Sequence, residues 1–206
     1  MPGQQLQTTA FLLARKPSGA DAFEQVTAFG EEHGLLACLF RLSRKASSSS
    51  VTPPDLFDEA ELWLESSNQG RTWFIKEHRI LARHAGVGRS YEALQTASAL
   101  ATLIARNPVD EDSRGALMNL LRQSLAALEQ GARPDLVWFK ALFCFLRDEG
   151  YPVKQQWWAQ LPAPDGEAAA QILNQPVATQ NPEPKLVASL TRQLQDWIAQ
   201  ETEVRV

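Results

Sequence analysis

The residues best suited to chemistry in this chain of 206 residues are cations. Arg41, Arg44 and Lys45 fall within five residues that contain no acid, and they lead into Ser47-Ser48-Ser49-Ser50. Guanidinium and ammonium groups gathered in this way neutralise phosphates and release their condensed counterions. Arg15 and Lys16 form a second basic pair. Aromatic rings beside such cations can stack on bases; Phe40 and Trp73 are the candidates by sequence. The competing readings are solubilising charge for the cations and core positions for the rings. Trp157 and Trp158 share a segment with Lys154, and such a pair either offers a ledge to a partner or closes the end of a helical bundle.

Other chemistries lack their residues. The chain has no GxGxxG, no Walker-type GK[ST], no HExxH and no GxSxG. Its three histidines, His33, His78 and His84, lack metal-ligand spacing. The two cysteines, Cys38 and Cys144, sit among apolar neighbours, as buried reduced thiols do. Asp58, Glu59, Glu61 and Glu65 are numerous enough for paired-carboxylate catalysis. On a strand, however, the three glutamates point away from the leucines and read as a solvated face. No catalytic residue, metal ligand or cofactor is assigned, and an enzyme is not expected.

Two kinds of element must position these groups. Over residues 1–82, five short runs are separated by turn signals at Pro17-Ser18-Gly19, His33-Gly34 and Asn68-Gln69-Gly70. The runs are 7–16, 22–29, 35–41, 56–66 and 71–82. That spacing predicts a small all-β barrel or sandwich, with 56–66 readable as strand or helix. From about residue 90 the apolar period lengthens. Leu94, Ala97, Ala101 and Ile104 mark one helix, ended by Asn107-Pro108. Asp110 and Asp112 open a second, with Leu117, Leu120, Leu121, Leu125 and Leu128 as its stripe. A third, 134–149, is apolar almost all round and predicts the central helix of a bundle. Residues 151–165 read as a loop, 166–174 as a short helix and 185–201 as the last helix. The fold class is therefore α+β: a β-barrel over 1–82 packed on an all-α domain over 83–206.

Composition bounds the partners. Hydrophobic residues at 44% support a packed core, and the net charge of -4 excludes a generally basic coat protein. Residues 1–82 hold 8 Lys and Arg against 10 Asp and Glu, so DNA affinity must come from a local patch and fall steeply with salt. The polar start Met1 to Thr9 has no leader-like apolar run, and no stretch is long enough to span a membrane. The expectation is a reduced, intracellular protein.

The order of these features resembles the RecO family of DNA recombination and repair mediators. The resemblance rests on a first strand ending in basic residues and a Pro-x-Gly turn, Phe11-Leu12-Leu13-Ala14-Arg15-Lys16-Pro17-Ser18-Gly19. It continues through Glu32-His33-Gly34-Leu35 and the basic, serine-rich Arg41-Leu42-Ser43-Arg44-Lys45-Ala46-Ser47-Ser48. Pro53-Pro54 through Trp73 follows the family's order, and Phe143 to Tyr151 matches its helix end. Leu42 replaces the family's glycine, Ser18-Gly19-Ala20 replaces Tyr-Gly-Glu, and the four-cysteine zinc site of many members is missing.

The resemblance implies an OB-fold-like barrel and a bacterial, cytoplasmic, nucleoid-associated setting. It implies binding of single- and double-stranded DNA, strand annealing, and a RecR-type partner. It also implies docking of the acidic C-terminal tail of single-strand-binding protein and, indirectly, loading of the RecA recombinase. DNA contact carries over to Arg15, Lys16, Arg41, Arg44 and Lys45. A tail pocket needs an apolar slot with a cation at its rim, for which Lys140, Arg147 and Lys154 are the candidates. An adaptor of the same fold with little DNA affinity is the alternative.

Overall fold

The computed structural model describes residues 4–19, 22–42, 52–66 and 68–206. The chain divides into two compact units, Met1–His84 and Ala85–Val206. The first is a five-stranded sheet and the second is helical, so the layout is α+β.

The strands are β1 (Gln4–Pro17), β2 (Phe23–Gly30), β3 (Gly34–Arg41), β4 (Glu59–Ser66) and β5 (Trp73–Ala82). Their pairings form a closed ring, β1-β2-β3-β5-β4 and back to β1. Closure depends on the length of β1. Its first part, Gln4 to Phe11, pairs with β4, and its second, Ala10 to Pro17, pairs with β2. An irregularity between Leu12 and Ala14 marks where the strand bends from one partner to the other. β2 and β3 meet in a tight turn at Gly34, whose φ of 63° is left-handed and suits glycine. β3 and β5 run parallel, paired from Cys38 opposite Trp73 to Phe40 opposite Ile75.

Alternation sets which side chains fill the ring. Ala10, Leu12, Val26, Ala28, Leu36, Cys38, Leu62, Leu64, Trp73 and Ile75 form one buried cluster, with Phe40 packed against it. Segment 56–66 is strand from Glu59 onward. The expected solvated face of acids is corrected at its start: Asp58 and Glu59 are buried. Asp58 accepts from both Nε and Nη2 of Arg83 and from the Asp55 backbone N–H. Farther along, Glu61 pairs with Arg79 and Glu65 with Lys76, across the strands. The acids of β4 thus answer the cations of β5.

The helical unit contains α1 (Tyr91–Arg106), α2 (Arg114–Glu129), α3 (Pro134–Asp148), α4 (Trp157–Gln160), α5 (Ala163–Asn174) and α6 (Pro184–Glu201). Ser90 caps α1 by accepting from the Ala93 N–H. α1 buries Ala93, Ala97, Leu100, Ala101, Leu103 and Ile104, whereas Leu94, expected on that stripe, is 40% exposed. α3 packs against α1, α2, α5 and α6 and buries Leu136, Val137, Phe139, Ala141, Leu142, Phe143, Phe145 and Leu146, the central position expected of it. The expected loop 151–165 contains α4, because Trp157 buries its ring beside Phe139 and Phe143. α5 starts at Ala163 with Pro164 in its first turn, where a missing N–H costs nothing. Among the described residues, no helix is long and apolar enough to cross a membrane.

Candidate functional site

Register places the cations of the sheet. Lys16 on β1 lies opposite Gln25 on β2, and Arg41 on β3 lies opposite Phe23. Both cations therefore flank the start of β2, two positions apart. Both are exposed, and neither makes an ion pair with another described residue. Arg44 and Lys45 lie outside the described residues.

Arg15 is different, because its guanidinium already has carboxylate partners. Its Nη2 pairs with Glu24 at 2.5 Å and its Nη1 with Asp55 at 2.9 Å, and Nη1 also donates to the Pro54 carbonyl. Partial burial works against the cation, but the two carboxylates overcome it and raise its pKa above the usual arginine value. The guanidinium fastens the end of β1 to the segment that enters β4, so its charge is already compensated.

Of the two readings of Phe40 and Trp73, the core one holds. Trp73 is buried in the core cluster, and Phe40 packs against that cluster with its ring edge-on to His78. The rings that sit beside the cations are Phe23 and Phe74. They meet edge-to-face with centroids 5.8 Å apart. Leu39 lies opposite both Gln25 and Phe74, so these residues share the face turned away from the core. Phe23, Leu39 and Phe74 are half-buried there, beside Lys16 and Arg41. Both faces of β3 are apolar in sequence, Leu35-Leu36-Ala37-Cys38-Leu39-Phe40, which hides the face that points outward. The signal available was parity: Phe23 and Val26 differ by an odd number of positions, so they occupy opposite faces.

The helical unit brings together two of its three candidate cations. Arg147 and Lys154 line a cavity of about 410 Å³ with Phe143, Cys144, Trp158 and Leu173. Trp158 stands edge-on to Phe143 at 5.9 Å and to Trp157 at 6.4 Å. Arg147 is held by Asp148 at 2.7 Å, and that hydrogen bond raises its pKa. Lys154 is exposed. Burial raises the pKa of the Cys144 thiol, so the pocket does not hold a ready thiolate.

Lys140 is the third candidate, and its ammonium is engaged within the fold. Its Nζ donates to the carbonyls of Ile172, Leu173 and Gln175 at the end of α5. Burial lowers its pKa. It is not among the residues lining the pocket.

Among the described residues, no group of three or more His, Cys, Asp or Glu is placed to hold a metal ion. His84 is buried and stacks on Phe11 with ring centroids 6.5 Å apart. No protein-family model matches the chain, and a search of curated proteins returns no match.

Proposed function

We propose that the chain is a DNA-binding recombination mediator of the RecO type, acting with a RecR-type partner to anneal strands and load recombinase. One observation carries the reading. The cations at the Lys16–Arg41 edge lack carboxylate partners among the described residues, and they border a sheet face bearing an edge-to-face aromatic pair. The ring of pairings, with its parallel β3–β5 contact, is read as an OB-fold barrel, and the outer β2–β3 surface is where that fold takes oligonucleotides. Phosphates meet Lys16 and Arg41, extended by Arg44 and Lys45, while bases stack on Phe23 and Phe74. The chain supplies no covalent chemistry. It neutralises two strands and so reduces the repulsion that opposes annealing.

The helical pocket supports the partner half of the reading. Arg147 and Lys154 beside the Phe143 and Trp158 rings suit an acidic peptide that ends in an aromatic residue, the chemistry of a single-strand-binding protein tail. The same pocket, with Arg15 already compensated, favours the second reading, an adaptor with little DNA affinity.

Fluorescence anisotropy separates the two. A labelled single-stranded oligonucleotide is titrated at low and moderate salt with wild type, with Lys16→Ala/Arg41→Ala/Arg44→Ala/Lys45→Ala, and with Phe23→Ala/Phe74→Ala. The mediator predicts wild-type binding that both variants weaken at least tenfold. No wild-type binding at low salt, together with capture of an acidic Phe-ended peptide that Arg147→Glu/Lys154→Glu abolishes, selects the adaptor.

A further inference from the structure

A second and larger cavity lies in the helical unit, walled by helices α1, α3 and α6, with a volume of about 760 Å³. Its floor is one face of α1. Glu92, Thr96, Ala99 and Thr102 follow one another at steps of four, three and three residues, the spacing of side chains on a single helix face. From Glu92 to Thr102 that face runs about 15 Å, nearly three helical turns. Past Glu92, Thr96, Ser98, Ala99 and Thr102 are small and Gln95 is the one longer α1 side chain in the lining, so along the Thr96–Thr102 stretch a second helix can approach to roughly the 8–10 Å of helix packing. Trp138 of α3 forms a side wall and is half-buried, a large flat ring turned to the groove.

The charge of the groove is one-sided. Two acids line it, Glu92 and Asp135, and no Lys or Arg does. Asp135 is shared with Arg133, which lies outside the lining. Glu92 makes no ion pair with another described residue. It accepts from the Ser90 hydroxyl at 2.9 Å, which fixes the carboxylate at the start of α1. Its own backbone N–H and Ser90 lower its pKa, so it is ionised wherever the protein is folded near neutrality. The Arg147–Lys154 pocket of the same unit has the opposite sign, so one ligand cannot suit both.

We propose that this groove docks a basic amphipathic helix from a partner protein, with apolar residues packed along α1 and against Trp138 and a Lys or Arg set against Glu92. A helix fits better than a compact ligand because the floor follows one face of α1 for nearly three turns. A positive helix fits better than a negative one because every charged side chain in the lining is acidic. Trp138 is the expected anchor.

The test pans full-length chain against a library of helix-biased 14-residue peptides, with counter-selection on Ala99→Arg, which fills and inverts the groove. The proposal expects recovered peptides with a net positive charge and apolar residues at helical spacing. Isothermal titration of the best of them should show at least tenfold weaker binding to Ala99→Arg and to Trp138→Ala. Glu92→Lys should weaken it several-fold. Recovery of no peptide that prefers wild type to Ala99→Arg overturns the proposal, and so does recovery of acidic peptides. Concentration-dependent dimerisation that Ala99→Arg abolishes also overturns it, since a second copy then fills the groove. Thermal melts check each variant. Thr102→Lys, on the same partly exposed helix face, replaces any that misfolds. DNA binding and capture of the acidic peptide should be unchanged in Ala99→Arg, which separates failure here from failure of the mediator reading.

Discussion

Arg15 and Lys16 are adjacent, yet register turns them to different faces and different partners. Arg15 is clamped by Glu24 and Asp55, and Lys16 stands in solvent opposite Gln25. Arg15→Ala should therefore act on stability, lowering it by about 1 kcal/mol, the scale of a partly exposed pair with its hydrogen bonds. Its oligonucleotide affinity should change less than twofold. Lys16→Ala should do the reverse, and urea denaturation beside anisotropy reads both. Cys38 gives a second prediction. Burial pushes its thiol from 9.0 up to about 12. Between those values the unfolded chain loses the proton and the folded chain keeps it, so stability falls as pH rises. The slope approaches about 1.4 kcal/mol per pH unit for one proton. Denaturation midpoints from pH 8 to 11 should drop more steeply for wild type than for Cys38→Ala; equal slopes would mean the thiol is not the cause.

At the level of elements, α5 ends on a side chain from another helix. Lys140 of α3 donates to three carbonyls there, and Gln180 adds bonds to two of the same acceptors. Lys140→Met keeps the aliphatic stem but leaves those carbonyls short of donors, which should cost about 2 kcal/mol. Amide exchange should quicken in α5 before it does in α2. The sequence announces long elements well and their faces less well. Four of the five strands and five of the six helices follow from turn residues and from apolar periods of two and of three to four. β4 did not, because alternating Leu and Glu fit either geometry until Arg79 and Lys76 of β5 stand opposite the acids. Leu94 falls outside the buried stripe of α1, and its sequence does not show this because an alanine-rich helix has several passable apolar stripes. Only its neighbours choose among them. α4 has no sequence signature because four residues carry no period; what holds it is the burial of Trp157 against α3. The site divides in the same way. The cations were visible as residue types, but whether a carboxylate already compensates one is a fact of tertiary structure.

For the molecule as a whole, a net charge of -4 leaves little long-range attraction for DNA, so the proposed mediator role rests on contacts at the Lys16–Arg41 edge. If Lys16, Arg41, Arg44 and Lys45 each meet one phosphate, the logarithm of the single-strand binding constant should fall with that of salt at a slope of roughly -3. Replacing all four by alanine should bring the slope close to zero. A slope that survives the replacement would place the phosphates elsewhere. The opposite signs of the two helical cavities make a related expectation at this scale: acidic and basic peptides should bind at once, without competition.

The parallel seam between β3 and β5 is three residue pairs long, whereas β2 and β3 are joined over eight. Like the pairing of β1 with β4, it joins strands that no hairpin connects, with Cys38 and Trp73 opposite each other across it. Contacts so distant along the chain carry a larger loop-closure cost than hairpins do. The β1–β2–β3 meander and the β4–β5 hairpin should therefore assemble early, and the ring should shut late. Cys38 then serves as a clock. In pulsed thiol labelling during refolding, it should stay reactive through the first phase and become protected only in the last.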